Sequence, residues 1–310
     1  MSDEVTDIAV VGSYNVGLTM NMPRFPTEGE TVIAQNFTEG PGGKGSNQAV
    51  AAARLGANTS FIGKLGEDQY GDDALEVLES ENVDVTYTTQ VSETHTGVAF
   101  ILVNESGENE ITVAPGANNA LDPDAVQTAE SVIKDSDCLL LQFELPDPPL
   151  ITAAQIATDA NVPVVLNPAP AREIPTSLLA NVDYLTPNES EALTLLGKDP
   201  SSEPNHKRLG KELVELGINT VIITQGSSGA LLVSNDESVS ISAPSVPVAD
   251  TTGAGDAFNG ALAVALGEGR PVNHAVQFAC QAGALEVTEK EVIPGLPDRN
   301  SIKSISEGSQ

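Results

Sequence analysis

Lysine and arginine are scarce in this chain. Fourteen of them stand against 44 aspartates and glutamates in 310 residues, a net charge of −30. A polyanion of that strength repels nucleic acid and anionic membranes, so neither is an expected partner. The acids are spread along the whole length, which points to solubility in a very salty cytoplasm of halophilic type, where screening shortens like-charge repulsion. Cysteine is scarcer still. Cys138 and Cys280 sit in apolar runs without metal-ligand spacing and read as buried hydrophobes of a reducing compartment. Apolar runs of membrane-spanning length are absent, and the opening "MSDEVTDIAVVG" is acidic where a signal peptide is basic. A cytoplasmic protein is expected.

What is present is an ordinary 40% of hydrophobic residues arranged in alternating short strands and helices. "DIAVVGS", "CLLLQFE", "VPVVLNP" and "TVIITQG" are apolar nearly end to end, as strands buried on both faces of a parallel sheet are. Helical patterns run over Asn47–Leu55, Asp73–Ser80, Asp256–Leu266 and Asn273–Val287. This alternation predicts one doubly wound α/β domain over residues 1–310, with its ligand at the carboxyl ends of the strands. Residues 14–40 and 95–115 break the rhythm with β-type pieces and turns, and are expected to form a small sheet over the ligand, a lid. The closing "SIKSISEGSQ" reads as a loose tail.

Four stretches carry chemistry. "GPGGKGSN" (40–47) is no Walker P-loop, because Thr38 stands where the first glycine belongs and Gly45 where Ser or Thr should follow Lys44. It delivers free amides, Lys44 and Asn47 to a helix start, where anions or sugar hydroxyls can be held; a plain tight turn is the alternative. In "DTTGAGDAFNG" (250–260), Gly253, Ala254 and Gly255 open a second helix, with Asp256 in its first turn. Amide donors beside a carboxylate are the two parts phosphoryl transfer needs, a cradle for migrating charge and a proton acceptor. In "TPNESEA" (186–192), Asn188 and Glu191 share a face and either arrange water around a phosphate-bound Mg²⁺ or cap a helix. Glu144 ends an apolar strand where ligands bind.

In this order the motifs resemble the ribokinase family of carbohydrate kinases, and the likeness covers nearly the whole chain, from "VVGSYNVGL" through "GGKGSNQAVAAARLGA" and "LNPAPAREIP" to "DTTGAGDAFNGALA". The resemblance implies a three-layer Rossmann-type α/β sandwich with a β lid that often mediates dimers. It also implies ATP-dependent phosphorylation of a primary hydroxyl, here the 5-hydroxyl of a ribose-type sugar, with ATP and Mg²⁺ as cofactors. By resemblance Asp256 is the catalytic base, and Gly253, Ala254 and Gly255 form the anion hole. Asn15, Gly43, Lys44, Asn47 and Glu144 contact the sugar. Asn188, Thr224, Gly226, Gly229 and Gly255 fall where the family holds the nucleotide, as does the helix near Gln277–Gly283. Glu191 matches an indirect Mg²⁺ position, and Asp250 and Thr252 a monovalent-cation position.

Two departures stand out. Gly17 occupies the place of a family aspartate that holds sugar hydroxyls, which weakens free ribose and suits ribose 1-phosphate; a nucleoside remains open. Glu291 and Gly295 replace a glycine and a serine of the loop that gives backbone carbonyls to K⁺, which argues against potassium activation. A non-catalytic sugar-binding protein of the same fold is the competing class.

Overall fold

In the computed structural model, which describes residues 5–203 and 205–308, the apolar strands divide their side chains between two cores. In β1 (Asp7–Val11), Ile8 and Val10 join one hydrophobic cluster, while Ala9 and Val11 join another on the opposite face. In β9 (Cys138–Gln142), Cys138 and Leu140 part from Leu139 and Leu141 in the same way. Strands of this kind need cover on both faces, and a parallel sheet between helical layers supplies it.

The main sheet continues from β1 through β4 (Asn58–Gly66) to β5 (Val83–Asp84), with β6 (Thr88–Val91) also on β4. Beyond β9 come β10 (Val164–Asn167), β11 (Tyr184–Leu185) and β12 (Thr220–Thr224), all parallel. An antiparallel β13 (Ala230–Ser234) and β14 (Ser238–Ile241) close that end. One cluster lies under α1 (Lys44–Arg54), α2 (Gln69–Ser80), α9 (Ala254–Gly267) and α10 (Val272–Glu286). The other lies under α3 (Pro123–Thr128), α4 (Glu130–Asp135), α5 (Asp147–Asp159), α6 (Thr176–Leu179), α7 (Glu189–Leu195) and α8 (His206–Val214). This is the three-layer α/β arrangement expected.

A second sheet stands apart, in the order β3 (Asn36–Gly42), β2 (Asn15–Asn21), β7 (Val98–Val103), β8 (Asn109–Ala114). Its strands overlap the two stretches that broke the helical rhythm, with β3 running past residue 40 to Gly42. Exposed apolar side chains lie on both of its faces, Phe37 and Phe100 on one, Ile111 and Val113 on the other. No helix among the described residues is long and apolar enough to cross a membrane.

Three boundaries differ from expectation. α1 begins at Lys44, not Asn47, because Gly43 at φ 98° is the last non-helical residue. α9 begins at Ala254, so of the second glycine turn only Gly253 lies outside the helix. The carboxy-terminal segment is not a loose tail: α12 (Arg299–Gly308) follows the one-turn α11 (Val292–Gly295), and its Ile302 is buried in the core. Residues 309–310 lie outside the described residues.

Candidate active site

The glycines of the first motif permit a close crossing. A Cβ on Gly45 would lie 2.5 Å from the Gly12 Cα, and one on Gly43 would lie 2.7 Å from the Asn15 amide nitrogen. Side chains at either place would lift the start of α1 off the β1–β2 connection. With that approach made, Glu144, in the loop just beyond β9, collects three donors at one oxygen. Its Oε2 accepts from the Lys44 main-chain amide at 3.0 Å, the Asn15 side-chain amide at 3.1 Å and the Ser13 hydroxyl. Asn118 completes the corner, pairing with the Tyr14 peptide through both ends of its amide and donating to Asn15 Oδ1 at 3.0 Å.

α1 and α9 meet at the second motif. Asp256 is buried, at 7% exposure, in the first turn of α9. Its Oδ2 accepts from Asn47 Nδ2 at 2.8 Å and its Oδ1 from Gln48 Nε2 at 3.0 Å. Burial pushes the Asp256 carboxyl above the usual range, Lys44, Asn47 and Gln48 pull it back, and Glu144 adds a smaller upward push. Burial would in turn lower the Lys44 ammonium, but Asp256, Glu144 and Glu191 together hold it above its ordinary value. The side-chain oxygen of Asn47 is buried without a partner, an acceptor left for a ligand hydroxyl.

Two cavities flank these residues. One of about 410 Å³ is lined by Asn15, Asn118, Glu144 and Arg172, with the Arg172 guanidinium 4.1 Å from the centre of the Phe143 ring. The other, of about 770 Å³, is lined by Asn188, Thr224, Gly226, Gly229, Ala254 and Gly255 among others. A single parallel bridge joins Asn188 to Thr224 at its floor. Among the described residues no lysine or arginine lines this larger cavity, and Glu189 is its one charged group.

Asn188 and Glu191 form a complete capping box at the start of α7, each side chain accepting from the other's main-chain amide at 2.8 Å. Burial raises the Glu191 carboxyl, against the pull of the Asn188 amide and Lys44, while Asp256 pushes it up. Asp250 Oδ1 closes a turn on the amide and hydroxyl of Thr252 at 2.9 and 2.8 Å, and Glu291 is exposed. Gly17 lines neither cavity; it sits in β2 opposite Gly40 and Ala99. Sequence reasoning missed Gln48, Gln142, Asn167 and Asn118, all buried and hydrogen-bonded to one another or to the site. It also missed Glu286, buried at 2% exposure with Oε2 unpartnered and the carboxyl against Gly253. For Gln48 the available signal was "NQA" (47–49), at the end of the first motif, two amides side by side where a helix should present one polar residue to its core.

The sequence pattern built on this geometry, from the first glycine turn to the acid of α9, matches the model of the pfkB family of carbohydrate kinases over residues 5–299. The chain belongs to that family. This kinase is 41% identical to the ribokinase of Haemophilus influenzae, over 94% of this chain and 95% of the relative. It is 38% identical to the ribokinase of Bacillus subtilis, over 96% of this chain and 99% of that one. The solved structure of Arabidopsis thaliana ribokinase complexed with ribose and ATP superposes with a TM-score of 0.91 at 34% identity, covering 97% of this kinase and 99% of the plant chain. The fold is thus ribokinase-like, and the reaction class is transfer of a phosphoryl group to a sugar hydroxyl.

Proposed function

We propose that this kinase transfers the γ-phosphoryl group of ATP to the 5-hydroxyl of a ribose-type sugar, ribose or ribose 1-phosphate. One observation carries the reading. A buried carboxylate, Asp256, is held at both oxygens beside Lys44, in the first turn of the helix whose free amides open onto the larger cavity. The sugar takes the smaller cavity and contacts Asn15, Glu144, the Gly43–Lys44 turn and the free Asn47 oxygen; ATP takes the larger one. Asp256 accepts the proton of the 5-hydroxyl as its oxygen attacks the γ-phosphorus, and Gly253, Ala254 and Gly255 donate to the phosphoryl oxygens in flight. The names of the relatives and the ribose and ATP of the plant complex support both ligands.

Mg²⁺ suits the oxygen donors at the α7 start. No cluster of three His, Cys, Asp or Glu able to hold a metal exists among the described residues, so Glu191 and Asn188 would hold it through water and the nucleotide's own phosphates. Bound there, it would neutralise phosphate charge. The four-stranded sheet serves as a lid, and its exposed Phe100, Ile111 and Val113 favour a homodimer through that sheet; light scattering of Ile111→Glu against the parent chain tests this. The −30 charge suits a high-salt cytoplasm, and potassium activation is not part of the proposal.

The decisive measurement is ADP release with ribose and with ribose 1-phosphate in high KCl. Asp256→Asn is expected to keep sugar binding and lose at least roughly 10³-fold in kcat. A variant turning over at the parent rate would remove Asp256 from the mechanism.

A further inference from the structure

Neighbouring residues of a helix point about 100° apart, yet Asn47 and Gln48 both reach the one carboxylate of Asp256. They do so because α1 and α9 nearly touch. A Cβ on Gly260, one turn beyond Asp256, would lie 2.6 Å from the Ala51 Cβ and 2.8 Å from the Gln48 carbonyl oxygen.

Gln48 has no exposed surface and lines neither cavity. Toward the ionised carboxylate of Asp256, which can only accept, the amide turns its NH₂ end, and that end also donates to Asn167 Oδ1 at 3.2 Å. The carbonyl end accepts from Gln142 Nε2 at 2.7 Å. One side chain thereby ties the acid of α9 to β9 and β10. Gln142 and Asn167, like Gln48, line neither cavity.

We propose that Gln48 is a positioning residue for phosphoryl transfer: anchored by Gln142, it fixes the Oδ1 edge of Asp256 so that the carboxylate presents its free lone pair to the incoming hydroxyl. The proposal rests on the reading of Asp256 as the base. Its hydrogen bond also favours the charged form of an acid that burial drives toward neutrality. The other charged groups acting on Asp256 are Lys44 from α1, Glu144 from the loop after β9, Glu191 from α7 and Glu286 from α10.

The test is Gln48→Met, close in volume and without the donor. Expected are a kcat lower by about 10- to 100-fold, KM for sugar and ATP within about threefold, and an acid limb of the kcat–pH profile displaced to higher pH. Added to Asp256→Asn, the same substitution should cost no further activity, because the two residues act as one unit. If Asp256→Asn is itself active, the base reading falls. If Asp256→Asn is inactive while Gln48→Met keeps kcat within twofold, loses only in KM, or multiplies the loss in the double variant, this proposal alone falls. Should Gln48→Met not fold, Gln142→Met removes the anchor and leaves Gln48 in place. A several-fold fall in kcat at constant KM is then expected, and an unchanged kcat overturns the proposal.

Discussion

Asn15 and Lys44 donate to the same atom, Glu144 Oε2, one through its side chain at 3.1 Å and the other through its main chain at 3.0 Å. The acid therefore locks the entry of β2 to the entry of α1 through Oε2 alone. Glu144→Gln keeps an acceptor but loses the charge assistance of these bonds, about 1–3 kcal/mol in all. The expected result is a sugar KM raised roughly tenfold or more, a smaller fall in kcat and a lower melting temperature. Steady-state kinetics with thermal melts checks both, and an unchanged sugar KM would take Glu144 out of the sugar site.

Lys44 is the cation set among Asp256, Glu144 and Glu191. Its removal in Lys44→Met takes away the charge that opposes the burial-raised pKa of Asp256, so that pKa rises further. A general base works only when deprotonated. The fall in kcat on acidification is thus expected to begin at higher pH than in the parent. At pH 7 the variant should be at least tenfold slower, recovering in part toward alkaline pH. A pH–rate profile whose acid limb stays in place would contradict this.

Gly17 has room for a side chain. A Cβ there would lie 3.6 Å from the Gly40 oxygen and 3.7 Å from Ile101 Cδ1, ordinary contact distances. Sterics do not demand glycine at this position. Gly17→Asp is expected to fold, to raise kcat/KM for ribose and to lower it for ribose 1-phosphate, changing their ratio by about tenfold or more, the worth of one charge-assisted hydrogen bond. An unaltered ratio would dissociate Gly17 from substrate choice.

Glu286 bears on stability. Burial, with Asp250 and Asp256 nearby, pushes its carboxyl up to about 8 from an ordinary 4.5. Between those values the folded chain binds a proton that the unfolded chain does not, so stability falls as pH rises through this window and levels off above it. Glutamine has no proton to lose. Glu286→Gln is therefore expected to melt like the parent below the window and to be more stable above it. The gain should be of the order of 1–3 kcal/mol, the usual penalty for a buried polar group without a partner. Melts at pH 5, 7 and 9 decide it, and a constant difference across the three would refute this account.

The layers were legible because both faces of the strands are apolar, and runs such as "CLLLQ" allow little else. Asp256 was legible as a candidate because two glycines, Gly253 and Gly255, precede an acid there. The hydrogen-bonding partners of Asp256 were not, because Asn47 and Gln48 lie 209 and 208 residues before it and reach it only where α1 packs against α9. Helix starts were placed late for a local reason: sequence periodicity marks where apolar residues begin, while Lys44 and Ala254 enter their helices ahead of them. The tail was misread because Ile302 is the one buried anchor among the described residues of a polar segment.

On the proposed placement of ATP, the larger cavity, without lysine or arginine among its described lining residues, implies that a triphosphate must bring most of its own compensation. Peptide dipoles supply partial charges, and the remainder has to arrive as counterions from solution. Nucleotide capture by such a wall should strengthen as the ionic medium thickens, the reverse of enzymes that grip polyphosphates with basic side chains.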